Sequence, residues 1–73
     1  MKVKVIAPFP IQGLDQEDCL EVSEGSRVKD VLKGSGLHPA RLLPVFVNGE
    51  QVKKNHPLRD GDIVVFLYPL SGG

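Results

Sequence analysis

Apolar and polar residues alternate over residues 2–7, KVKVIA, where Val3 and Val5 fall on one side and Lys2 and Lys4 on the other. A period of two is that of a strand, and it predicts one here. PFPIQGLDQED then breaks the alternation with two prolines and a glycine, the composition of a loop. The alternation resumes in CLEVSEG, with Leu20 and Val22 on one face and Cys19 and Glu21 on the other. These two segments are expected to pair as a hairpin with a long connection.

The period changes at SRVKDVLKGSG. Val28, Val31 and Leu32 recur at helical spacing and make one apolar stripe. Ser26 is the expected N-cap, its hydroxyl accepting from an amide of the first turn. Gly34 and Gly36 are the expected stop. So short a helix depends on packing rather than on propensity. Beyond it, Val45, Phe46 and Val47 run into Asn48-Gly49, a dipeptide suited to positive φ in a tight hairpin turn, and Val52 lies on the return strand. Pro57 and Asp60-Gly61-Asp62 mark a turn-rich link. IVVFLYP is the final strand, ended by Pro69, which has no N–H for the ladder.

Strand, strand, helix, strand, short strand, strand is an α+β order, with one main helix across one face of a mixed sheet of four to five strands. The economical arrangement is a β-grasp. Its first and last strands run side by side in the middle, parallel because the helix lies between them in sequence. One helix covers one face only, yet the last strand is apolar on both sides. Val64 and Phe66, with Val45 and Val47, are expected to be core; Phe46, Val65 and Leu67 then form an exposed patch. Such a patch marks an interaction surface; the competing reading is that a central strand tolerates these residues on a half-covered face.

At 73 residues the chain is one domain, read as a β-grasp body over 1–70 and a flexible tail over 71–73. Lys plus Arg and Asp plus Glu are 9 each, so bulk charge points neither to nucleic acid nor to an acidic membrane. The single cysteine, Cys19, excludes an internal disulfide and favours a cytoplasmic protein. MKVKVIAPFP holds no apolar stretch fit for a signal peptide, and IVVFLY falls far short of the ~20 residues of a membrane helix.

The closing Gly72-Gly73 raises a chemical question. A terminal glycine offers a carboxylate with no side chain near it, and paired glycines can enter a channel that any Cβ would block. That suits a substrate of another protein's active site; the competing reading is a frayed end. VNGE at 47–50, HPL at 56–58, DGD at 60–62 and PLSGG at 69–73 resemble the MoaD/ThiS family of ubiquitin-like sulfur carriers, over essentially the whole chain. The resemblance implies a protein that is not an enzyme and holds no bound cofactor or metal. In such families a MoeB/ThiF-like activating enzyme uses ATP to adenylate the last glycine, here Gly73, and sulfur displaces AMP to leave a thiocarboxylate. Gly72 gives clearance. Phe46, Val65, Leu67, Pro69, Leu70 and Ser71 are the residues expected to meet the partner.

The resemblance is strongest to MoaD, which acts in molybdopterin biosynthesis beside a MoaE-like large subunit of the synthase. Tyr68 departs from that branch, many of whose members carry a proline there. A ThiS-like role in thiamine biosynthesis, a ubiquitin-like modifier, and a β-grasp binding module with an inert tail are the other readings.

The remaining chemistry-bearing residues read as structural. Cys19 is expected to be a packing residue. His38 and His56 precede prolines in loops and lack the spacing of a metal pair. Asp60 and Asp62 read as turn formers, or as charges that meet a basic partner, rather than as paired catalytic carboxylates, and Lys53-Lys54 reads as a solvated edge that discourages strand addition. KGSG lacks the phosphate-cradling glycine patterns, so an ATP-dependent step falls to another protein.

Overall fold

The computed structural model describes residues 1–33 and 44–67. In chain order they form β1 (Lys2–Ile6), β2 (Cys19–Glu21), α1 (Val28–Leu32), β3 (Val45–Val47), β4 (Glu50–Val52) and β5 (Ile63–Phe66). These strands make one five-stranded sheet of order β2-β1-β5-β3-β4. β1 and β5 are parallel neighbours, with Lys4 opposite Ile63 and Ile6 opposite Val65. The other pairings are antiparallel, and Val3 lies opposite Leu20 in the expected hairpin of β1 with β2. This is the β-grasp order that the alternation of periods predicts.

The core lies between the sheet and the helix. Val3, Val5, Val45, Val47, Val64 and Phe66 are buried from the sheet, and Val28, Val31 and Leu32 from α1. Ile11 and Leu58 close the ends, and Phe9 packs on Phe66 with ring centroids 5.9 Å apart. The four residues assigned to the core on β3 and β5 are all in it. Fully burying one such aliphatic side chain stabilises by roughly 1.5–3 kcal/mol, so the apolar stripe of α1 outweighs the weak propensity of a five-residue helix.

The helix start differs from the sequence expectation. Arg27, not Ser26, stands at the N-cap. Its backbone N–H donates to Oδ2 of Asp30 at 2.8 Å, and its carbonyl accepts from the Asp30 N–H at 2.9 Å. The next orphan amides find backbone rather than a hydroxyl. Val28 N–H donates to the His56 carbonyl at 3.0 Å and Lys29 N–H to that of Lys54 at 2.8 Å. Ser26 is used through its main chain, its carbonyl accepting from Leu58 N–H at 2.9 Å. A loop distant in sequence therefore does the capping, which local patterning could not foresee. Gly34 and Gly36, the expected stop, lie outside the described residues.

The Asn48-Gly49 turn is as expected: φ is +53° at Asn48 and +84° at Gly49, as a two-residue hairpin turn with the twist of its strands requires. The second reversal closes with the Asp62 N–H on the Arg59 carbonyl at 3.1 Å, with Gly61 at φ +86°.

Candidate functional site

β1 and β5 decide what the uncovered face of the sheet presents. Their even and odd positions point to opposite sides, so the same register that buries Val5 beside Val64 sets Ile6 beside Val65 on the far side. β3 completes the row, because Phe46 lies opposite Val65 from the other flank. Val65 is thus the centre of an apolar strip running Ile6, Val65, Phe46 across three strands. Ile63 and Leu67 extend it along β5, and the Leu67 N–H is held by the Pro44 carbonyl at 3.0 Å. Ile6, Ile63 and Leu67 are 47%, 43% and 45% exposed, large values for aliphatic side chains, while Phe46 and Val65 are half-buried.

The structure brings Phe46, Val65 and Leu67 together on this face. It adds Ile6 and Ile63, which sequence reading did not single out. Ile6 shares the parity of Lys2 and Lys4, and that was the available signal; only the parallel register shows that it adjoins Val65. Pro69, Leu70, Ser71, Gly72 and Gly73 lie outside the described residues, as do His38 and Tyr68. The expected division into a body over 1–70 and a tail over 71–73 falls there too.

Across the same face the character changes toward β2, where Lys2, Lys4, Cys19 and Glu21 take over. Nζ of Lys2 lies 3.6 Å from Oδ2 of Asp15. Asp15 is held below its ordinary carboxyl value of 3.8 because the backbone N–H groups of Cys19 and Glu17 donate to Oδ1, at 2.9 and 2.8 Å, with Lys2 adding a smaller effect. The Cys19 thiol is half-buried and donates to the Glu17 carbonyl at 3.7 Å, which fits a packing role. Asp30 is lowered likewise, first by the Arg27 N–H and then by Lys33 at 3.1 Å.

The recognisable motifs do structural work behind this face. Nδ2 of Asn48 donates to Oδ1 of Asp62 at 3.0 Å, and Oδ1 of Asn48 accepts from Ile63 N–H at 3.0 Å. Oδ2 of Asp62 accepts from Arg59 N–H at 2.8 Å. VNGE and DGD are therefore one clasp fixing the start of β5. Asp60 adds a bond from Lys2 N–H at 2.8 Å, which carries the β1–β5 seam past the strand end. HPL supplies the His56 carbonyl to α1 and the Leu58 side chain to the core. Lys54, read as solvated edge, is half-buried, and its carbonyl supports the helix. An open groove of about 330 Å³ lies between these turns, bordered by Val47, Val52, His56, Pro57 and Arg59 among others. Among the described residues no three His, Cys, Asp or Glu side chains are placed to hold a metal ion, and no helix is long and apolar enough to cross a membrane.

Comparison with known proteins agrees with this geometry. The model of the ThiS family matches residues 7–73. The crystal structure of SAMP1 from Haloferax volcanii, a ubiquitin-like β-grasp protein, is similar with a TM-score of 0.65 at 16% sequence identity, covering 100% of both chains. At that identity the likeness is one of fold.

Proposed function

Because the chain belongs to the ThiS family, whose small members are generally non-catalytic and work with E1-like activating enzymes, we propose that it is a sulfur carrier. Gly73 carries the reactive carboxylate. The partner, a MoeB/ThiF-like enzyme, joins one carboxylate oxygen to the α-phosphorus of ATP and releases pyrophosphate. A carboxylate is a poor acyl donor, whereas its mixed anhydride with AMP has a good leaving group. A sulfide-level nucleophile then attacks the acyl carbon, AMP departs, and a thiocarboxylate remains for donation to a cofactor precursor.

One observation carries this reading: the family match runs through Pro69–Gly73. The strip of Ile6, Phe46, Ile63, Val65 and Leu67 supports it, because β5 carries that strip toward the tail. Pro69, Leu70 and Ser71 follow β5 in sequence and are proposed as further partner contacts, with Gly72 and Gly73 as the segment the partner's active site takes up. The branch we favour is molybdopterin synthesis, with a MoaE-like subunit as the second partner. Tyr68, where many members of that branch have proline, keeps thiamine synthesis as the second reading.

Intact mass spectrometry after incubation with a ThiF-like activating enzyme, ATP and a sulfur source tests the chemistry. The expected result is a gain of about 16 mass units, one oxygen replaced by sulfur, that is lost on deleting Gly73. An unchanged mass would overturn the proposal.

A further inference from the structure

We infer that Lys4 is a specificity-determining residue of the open face, and that the partner seated there presents a carboxylate to it. The inference rests on the docking role proposed above and adds what the partner must look like at one place.

Lys4 stands where the apolar strip ends and the charged part of the face begins. In register it lies between Ile63 on β5 and Cys19 on β2. Its side chain shares the parity of Ile6, two residues along β1, so it borders two of the most exposed aliphatic residues. The other cations on this side have acidic partners: Lys2 has Asp15 at 3.6 Å, and the terminal ammonium has Glu21 at 3.2 Å. Along the β1–β5 seam, Asp62 accepts the Lys4 N–H through its carbonyl at 2.9 Å while its carboxylate takes bonds from Asn48 and Arg59, and the Asp60 carboxylate is engaged by the Lys2 N–H. Lys4 makes no ion pair among the described residues, although Asp15, Glu17, Asp18 and Glu21 all lie along the β2 side.

A bare ammonium at the rim of an apolar contact has two physical consequences. Covering Ile6 and Ile63 strips water from the neighbouring lysine, and a surface offering it nothing is rejected. A surface offering a carboxylate gains both the pair and a faster, salt-dependent encounter. The apolar strip holds any suitable apolar partner; Lys4 discriminates among them.

Binding of a ThiF-like activating enzyme to the full chain is measured by stopped-flow at two salt concentrations, with Lys4→Glu, Lys4→Arg, Lys4→Met and Phe46→Asp. The expected loss in affinity for Lys4→Glu is about tenfold or more, mainly in the association rate and shrinking in high salt, with Lys4→Arg near wild type and Lys4→Met between them. Reversing one acidic residue on the enzyme is expected to rescue Lys4→Glu. Wild-type binding by Lys4→Glu, with Phe46→Asp defective, overturns the assignment of Lys4 and leaves the docking face standing. Wild-type binding by both removes the docking face itself. A loss for Lys4→Glu that ignores salt, or that no enzyme reversal rescues, also overturns the inference.

Discussion

Replacing Asn48 tests whether the clasp is structural or belongs to the partner surface. Asn48→Ala removes two hydrogen bonds, the one donated to Asp62 and the one accepted from Ile63 N–H, both 3.0 Å long. Each such bond contributes about 0.5–1.5 kcal/mol net. Because Asp62 is half-buried and Ile63 is exposed, water re-solvates the freed groups, and the lower half of that range applies, about 1–2 kcal/mol together. Alanine at the φ of +53° adds about 1 kcal/mol of left-handed strain. The expected total is about 2–3 kcal/mol, out of about 4–11 kcal/mol for a chain of this length. Asn48→Gly relieves the strain but raises the entropy of the unfolded chain by about 0.4–1 kcal/mol, so it should fall between wild type and alanine. Urea unfolding followed by circular dichroism measures both. At roughly 4–8 °C per kcal/mol, Asn48→Ala should also lower Tm by at least about 8 °C. Stability of Asn48→Ala within about 0.5 kcal/mol of wild type would refute the clasp; lost partner binding in such a variant would assign Asn48 to the surface instead.

Other expectations follow from the same contacts. Phe66→Leu keeps an apolar core residue but loses the ring contact with Phe9, and should destabilise by about 1–2 kcal/mol in the same unfolding assay. Asp15 and Asp30 have folded-state values below the ordinary 3.8. Their stabilisation is therefore complete above about pH 3.8 and disappears as pH falls through the lowered values. Acid unfolding of Asp15→Asn and Asp30→Asn should accordingly be less steep below pH 3.8 than that of wild type. Phe46→Asp and Leu67→Ser should weaken the activating enzyme's grip by about tenfold or more with Tm nearly unchanged, because neither side chain is in the buried core. Calorimetry on the same samples separates that result from unfolding.

Much of the fold was legible because periodicity records burial. Val3, Val5, Val28, Val31, Leu32, Val64 and Phe66 announce which side faces inward through spacing alone, and Asn48-Gly49 announces its own φ values. What stayed hidden depends on partners distant in sequence. Ser26 is the natural local choice of cap, but the His56 and Lys54 carbonyls leave its hydroxyl unneeded. Ile6 and Ile63 escaped notice because their neighbours on the open face come from strand register rather than from adjacent residues. The motifs were visible as turns, while the Asn48–Asp62 bond that joins them requires both turns to be in place. The docking role of Phe46, Val65 and Leu67 could be suggested by parity, yet the shape of the strip required the sheet.

The pairing of Lys4 with Ile63 has a kinetic consequence. The two central strands are also the most distant in sequence of the described strands, so β1 lacks its inner neighbour until residue 66 has left the ribosome. Productive collapse waits for β5, and such distant contacts place refolding toward the slow side for domains of this size. A nascent chain halted before β5 would leave the inner edge of β1 unpaired, with Val3 and Val5 uncovered, which makes prompt synthesis of β5 a condition for avoiding aggregation.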